Sequence, residues 1–284
     1  DVQREQFKRL GIIGDWDHPY TTMAYEAEAT IVAELLKFAA LPGALYRGAK
    51  PVMWSVVEKT ALAEAEIEYE DVTSTQIDVG FEITQSPVQE LIGAYAVIWT
   101  TTPWTIPANQ AIAYGPDVDY VLVEAGDHAV LVAEALLPQL AERSGLRFGT
   151  PIAHLKGSDL VGTIARHPMH AKGGFFATDR PFLAGDFVTT EAGTGLVHLA
   201  PDHGEDDFAV CKAHGIDPVF AVEADGRILA DWPWLGGEGN VINAKFNGPD
   251  GPICSDLRAA GALLAASADF RHSYPHSWRS KAKI

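Results

Sequence analysis

The chain has 284 residues, 47% of them hydrophobic, and a formal net charge of −17. That is enough apolar material for one large domain with connecting pieces, and no apolar run approaches a membrane span. The acidic balance excludes broad, sequence-independent grip on nucleic acid, because phosphate affinity comes from Lys and Arg.

In chain order, residues 5–10 read as a short helical turn. Thr21 or Thr22 is placed to cap a helix over residues 23–40, with Ile31, Leu35 and Phe38 recurring on one apolar face. Residues 51–57 read as a buried strand. From Ser74 the texture changes to short strands at 76–83, 95–100, 119–124, 128–131, 182–189 and 196–198, interrupted by a helix over 132–144. Residues 247–252 read as a linker, followed by a helix over 255–266 and a basic tail over 271–283. Many short strands with few helices predict an α+β chain with a β-barrel-like domain. Cys211 and Cys254 are the only cysteines and lack Cys-x-x-Cys spacing, which points to a reducing compartment. The opening residues carry no signal-like region, and the sequence reads as an internal piece.

Two runs carry chemistry. In the first, Trp99-Thr100-Thr101-Thr102-Pro103-Trp104-Thr105-Ile106-Pro107-Ala108-Asn109, three hydroxyls cluster at the end of an apolar strand. Pro103 halts the strand, and alternation puts Thr100 and Thr102 on one face with Thr101 on the other. The second run spans Gly193-Thr194-Gly195-Leu196-Val197-His198-Leu199-Ala200-Pro201 and continues through Gly204-Glu205-Asp206-Asp207. It reads as strand, turn and helix start, where carboxylates are favoured by exposed amides and the helix dipole. No Gly-x-Ser-x-Gly elbow supports a nucleophilic triad.

Together the runs resemble the editing domain of isoleucyl-tRNA synthetases, whose signatures are Trp-Thr-Thr-Thr-Pro-Trp-Thr and Gly-Thr-Gly-x-Val-His-x-Ala-Pro…Gly-x-Asp-Asp. The resemblance extends through Pro51-Val52-Met53-Trp54 to Tyr274-Pro275-His276-x-Trp278-Arg279, so it covers nearly the whole chain. It implies a stem over residues 1–73, an editing domain over 74–250 and a return segment over 251–284. His-Ile-Gly-His and Lys-Met-Ser-Lys-Ser are absent, so ATP-dependent activation is not expected of this piece. In relatives a structural zinc is held by cysteines at positions matching Ser55, Glu58, Ser277 and Ser280. Neutral Ser is a poor zinc ligand, so no metal is expected, and His272 with His276 is a weak substitute.

The resemblance further implies hydrolysis of valyl-tRNA(Ile), and of valyl-adenylate, releasing valine. Asp207 would anchor the substrate ammonium. Thr100, Thr101 and Thr102 would order ester and water. Trp104 and His198 would shape the wall, with Thr105 and Asn109 as polar support. The partners implied are the acceptor end of tRNA(Ile) and the rest of the synthetase chain, in a cytoplasmic monomer without a membrane. A basic island from His154 to Arg180, including Lys172 and Arg180, is the candidate contact for tRNA. The rival readings are a tRNA-binding module without hydrolysis, a stand-alone ester hydrolase, and a valyl-type domain clearing threonine; Thr-Pro-Trp-Thr speaks against the last.

Overall fold

The computed structural model describes residues 1–284, which fall into two compact units, Asp1–Ala49 and Lys50–Ile284. The first contains helices α1 (Val2–Arg9) and α2 (Tyr25–Ala40), neither with a buried residue. α2 begins two residues later than expected: Ala24 occupies its N-cap with no side-chain cap, because the Thr21 carbonyl is closed into a turn with the Ala24 amide at 3.1 Å. Its expected apolar face of Ile31, Leu35 and Phe38 is exposed.

The second unit opens with a minimal hairpin, β1 (Trp54–Ser55) and β2 (Thr60–Ala61). The buried strand expected over 51–57 is therefore only two residues long. Lys59 takes a positive φ of 56° to close the turn, and Val52 and Met53 stay exposed. A long strand, β3 (Ile67–Gln85), is followed by β4 (Tyr95–Thr100), β5 (Ala111–Tyr114), β6 (Asp119–Ala125) and β7 (His128–Ala133). Next come α3 (Leu137–Ser144), β8 (Pro151–Lys156), β9 (Ile164–Arg166), β10 (Asp179–Ala184) and β11 (Leu196–Leu199). The chain closes with α4 (Glu205–Ala213), α5 (Pro252–Ala259) and β12 (Leu263–Ser277).

Ten strands form one mixed sheet in the order β11-β5-β10-β9-β3-β4-β7-β6-β8, with β12 also paired to β3. The expected α+β class holds: many strands, few helices. Alternation drives it, since Ile77, Val79, Phe81 and Ile83 of β3 point to one side and are fully buried. They join Ile98 of β4, Leu122 of β6 and Leu131 of β7 in the main core. β11 packs against β4 although the two are not neighbours in the sheet, so the sheet curls back on itself. That curl brings the two signature runs together.

Several boundaries differ from the sequence expectation. Residues 132 and 133 complete β7, because Val132 and Ala133 pair with Val121 and Tyr120; Pro138 then sits in the first turn of α3. β10 stops at Ala184, where Gly185 turns the chain and its amide bonds the Tyr114 carbonyl at 2.9 Å. The helix expected over 255–266 spans 252–259 instead. Gly261, at φ 72°, ends it in the left-handed cap that glycine permits. Residues from Leu263 then form β12, and its pairing to β3 runs from Leu263↔Val79 to Ser277↔Ile67, replacing the expected tail.

Candidate active site

Thr100 closes β4, and Pro103 starts a 3-10 turn over Pro103–Ala108. Between them the chain folds tightly. Thr100 Oγ1 lies 3.1 Å from Thr102 Oγ1 and accepts the Thr102 amide at 3.1 Å, so these two hydroxyls meet as expected. Thr101, however, lines the same cavity rather than an opposite face, because β4 ends at Thr100 and alternation stops there. Thr105 Oγ1 donates to the Thr102 carbonyl at 2.9 Å and meets His198 Nε2 at 3.0 Å. With its own proton committed to that carbonyl, Thr105 accepts from His198, which fixes the Nε2–H tautomer. His198 is buried, and desolvation pushes its imidazole down to about 4; the ring is a neutral wall.

β11 is held in place by the turn before it. Tyr120 OH donates to the Gly195 carbonyl at 2.6 Å, and the Ala133 amide donates to the Thr194 carbonyl at 2.8 Å. Gly195 combines φ +74° with a close approach: a Cβ there would stand 2.4 Å from Ala133 Cβ. Only glycine tolerates both demands.

After β11 the chain turns through Pro201 into α4, whose first turn holds Glu205, Asp206 and Asp207. Asp206 is exposed. Asp207 folds back, accepting the Ala200 amide on Oδ2 at 2.8 Å. Gly204 makes room for it, since a Cβ there would sit 2.9 Å from the Asp207 Cγ. Burial pushes the Asp207 carboxyl up to about 6, with Asp206 adding to the rise and the Ala200 amide opposing it. At neutral pH it is ionised, at a desolvation cost that a bound cation would relieve.

These groups face one cavity of about 420 Å³, lined by Thr100, Thr101, Thr102, Thr105, Thr194, His198, His203 and Asp207 among others. A second cavity of about 440 Å³ shares Thr102, Thr105 and His203 with it and adds Trp104 and Asp202. Trp104, expected to shape the wall of the first cavity, lines only the second and reaches the first through His203, to whose ring it is edge-on with centroids 4.6 Å apart. Asn109 lies outside both cavities. Fully buried, it donates to the Ala111 carbonyl at 2.8 Å and accepts Arg180 Nε at 3.1 Å. Asp202 and His203 are cavity residues that sequence reasoning passed over, although they sit inside the second signature run between Pro201 and Gly204.

The basic island over 154–180 does not form a free cationic surface. Arg180 is 1% exposed, with its guanidinium on Asn109 and on the Thr178 and Phe175 carbonyls. Arg166 pairs with Glu82, and Lys156 with Asp119 at 2.6 Å. Lys172 alone of the four cations is exposed without an acidic partner.

The four positions matching the cysteines of relatives meet in one hydrogen-bonded cluster. Ser55 and Ser277 both donate to the Glu58 carboxylate, Ser277 at 2.9 Å, and the Ser280 amide reaches Ser277 Oγ at 3.5 Å. Hydrogen bonds, led by that of Ser55, hold the Glu58 carboxyl down to about 2. Three hydroxyls and one carboxylate do not suit zinc, and no group of three or more His, Cys, Asp or Glu is placed to hold a metal ion. His272 and His276 lie four residues apart along β12, about 13 Å in an extended strand. They bind Ser74 Oγ and the Tyr274 carbonyl instead.

The family model of class I tRNA synthetases (I, L, M and V) matches residues 1–266. The chain belongs to that family. Its relatives include isoleucine--tRNA ligase of Zymomonas mobilis, 65% identical over 285 residues, which covers 100% of this chain and 30% of that protein. Isoleucine--tRNA ligase of Gluconobacter oxydans is 46% identical, covering 99% of this chain and 31% of its own length. The isoleucyl branch suggested by Thr-Pro-Trp-Thr is thus the branch found, and the chain spans about a third of those curated relatives. Among solved structures, the editing domain of P. knowlesi cytosolic leucyl-tRNA synthetase is similar at 12% identity and a TM-score of 0.39, over 50% of this chain and 62% of that one.

Proposed function

We propose that this segment is the hydrolytic editing unit of an isoleucine-specific synthetase, clearing valyl-tRNA(Ile) and valyl-adenylate. The observation that carries the reading is the convergence of Asp207, His198 and Thr100, Thr101 and Thr102 on one cavity. A synthetic pocket separates side chains differing by one methylene by only about 1–3 kcal/mol, a range for which isoleucine against valine in this enzyme class is itself the reference instance. A second pocket that admits the smaller acyl group completes the discrimination.

Asp207 receives the α-ammonium, and the His198 ring limits the space beyond the acyl carbon. The threonine hydroxyls, which do not titrate near neutrality, donate and accept hydrogen bonds that orient ester and water. Water attacks the carbonyl carbon, the bond to the ribose oxygen breaks, and the proton of water ends on that oxygen. Trp104 acts on the cavity through His203, and Asn109 by anchoring the end of the 103–108 turn. Residues 74–250 are taken as the editing domain, with 1–73 and 251–284 leading to the rest of a cytoplasmic, monomeric synthetase. The paired ends of β3 and β12 support such a tether. With Arg180 buried, the grip on the tRNA acceptor end falls mainly to other parts of the protein.

The test is deacylation by a synthetase carrying this segment. Valyl-tRNA(Ile) is hydrolysed and isoleucyl-tRNA(Ile) is spared; equal rates, or none with either substrate, would refute the reading.

A further inference from the structure

The wall between the two cavities holds a titratable pair that the mechanism above leaves idle. Asp202 and His203 follow Pro201 in the turn from β11 to α4. Asp202 Oδ2 lies 3.1 Å from His203 Nε2, with the two side chains 4% and 15% exposed. Neither is satisfied by the protein: Asp202 Oδ1 and His203 Nε2 are buried without hydrogen-bond partners. His203 Nδ1 makes no hydrogen bond and is not among these buried atoms, so it is the ring nitrogen open to a partner from outside the chain. The imidazole plane is fixed by the edge-on contact with Trp104. His203 lines both cavities, whereas Asp202 lines only the second.

We propose that His203, oriented by Asp202, is a positioning residue for the hydrolytic water. The ring turns Nε2 toward the Asp202 carboxyl, and Nδ1 accepts a hydrogen bond from the water that attacks the ester. This rests on the editing reading and deepens it. The ring keeps its proton count throughout: Nδ1 only accepts a hydrogen bond from the water, whose oxygen bonds the carbonyl carbon as the bond to the ribose oxygen breaks and whose proton passes to that departing oxygen. Desolvation holds the His203 imidazole down to about 3 and raises the Asp202 carboxyl to about 7, which suits an acceptor that stays neutral. The two carboxylates then divide the work, Asp207 for the ammonium and Asp202 for the ring that holds water.

The experiment uses the intact synthetase and compares wild type, His203→Ala, His203→Gln, Asp202→Asn and Asp207→Ala in deacylation of valyl-tRNA(Ile). Isoleucylation is the check on folding. His203→Ala is expected to lower kcat about 10²-fold with KM within about twofold, since misplacing a reactant by about an ångström costs that much. Added imidazole restores part of the rate, and His203→Gln, which keeps an acceptor, stays within about tenfold of wild type. A His203→Ala rate within twofold of wild type overturns the proposal. So does a loss that imidazole does not repair, which would assign His203 to packing against Trp104. If wild type hydrolyses the substrate, Asp207→Ala does not and His203→Ala is normal, only this inference falls. If wild type fails to hydrolyse it, the editing reading falls too.

Discussion

The two walls of the 420 Å³ cavity are built on opposite principles. One comes from the end of β4, the 103–108 turn and β11, and it is neutral: Thr100, Thr102, Thr105 and His198 bond one another and hold no charge near pH 7. The other comes from the turn after β11 and the start of α4. It holds His203 and Asp207, with Asp202 beside His203 on the side of the second cavity, each with its proton affinity displaced by burial. The first wall is bonded internally except at His198 Nδ1, which is buried without a partner, and it defines shape. The second is left partly unsatisfied and defines chemistry, because a buried carboxylate gains most from the cation it lacks.

Gly195→Ala strikes the neutral wall hardest. It combines an unfavourable positive φ with a 2.4 Å approach to Ala133 Cβ, and a loss of about 2–4 kcal/mol is expected in a thermal or denaturant melt. The charged wall predicts the opposite sign. Asp207 keeps a carboxyl raised from 3.8 to about 6, so the folded state holds a proton that the unfolded state sheds between those values. Its penalty is absent below about pH 4 and fully present above about pH 6. Asp207→Asn, which keeps an acceptor for the Ala200 amide, should therefore stabilise the chain by about 1–3 kcal/mol at pH 7.5 and by nothing at pH 3.5. A loss of stability at pH 7.5 would erase the contrast between the walls. The smallest effect belongs to Thr105→Val, which removes the partner of His198 Nε2 at 3.0 Å. It is expected to cost about 1–2 kcal/mol of stability and to weaken the rejection of isoleucyl-tRNA(Ile), read as a rise in its hydrolysis.

How much of this was legible in the sequence divides along the same line. The neutral wall was readable: strand alternation placed Thr100 with Thr102, and the Gly193–Gly195 turn announced β11. Asp207 at a helix start was readable as well. The long pairing of β12 with β3 was not, because Leu263-Leu264-Ala265-Ala266 favours helix locally and only the partner strand overrides it. Gly261 was the available signal for the helix end. Arg180 and Asn109 were misplaced for a related reason. A cation in a basic stretch is usually solvated, and nothing local reveals that Asn109, 71 residues earlier, will accept its guanidinium inside the fold. Asp202 and His203 stood in plain sight within the second run, but their pairing and burial arise only when the turn closes over the dividing wall.

The most direct test of the account is the pH profile of kcat/KM for valyl-tRNA(Ile) deacylation by the intact synthetase, wild type beside Asp207→Ala. The account predicts that the wild-type value falls about tenfold per unit below about pH 6, as the anchoring carboxylate protonates. It predicts that Asp207→Ala is at least about 10²-fold slower at pH 7.5, with that limb absent. An Asp207→Ala enzyme that retains the wild-type rate and the same profile would contradict it.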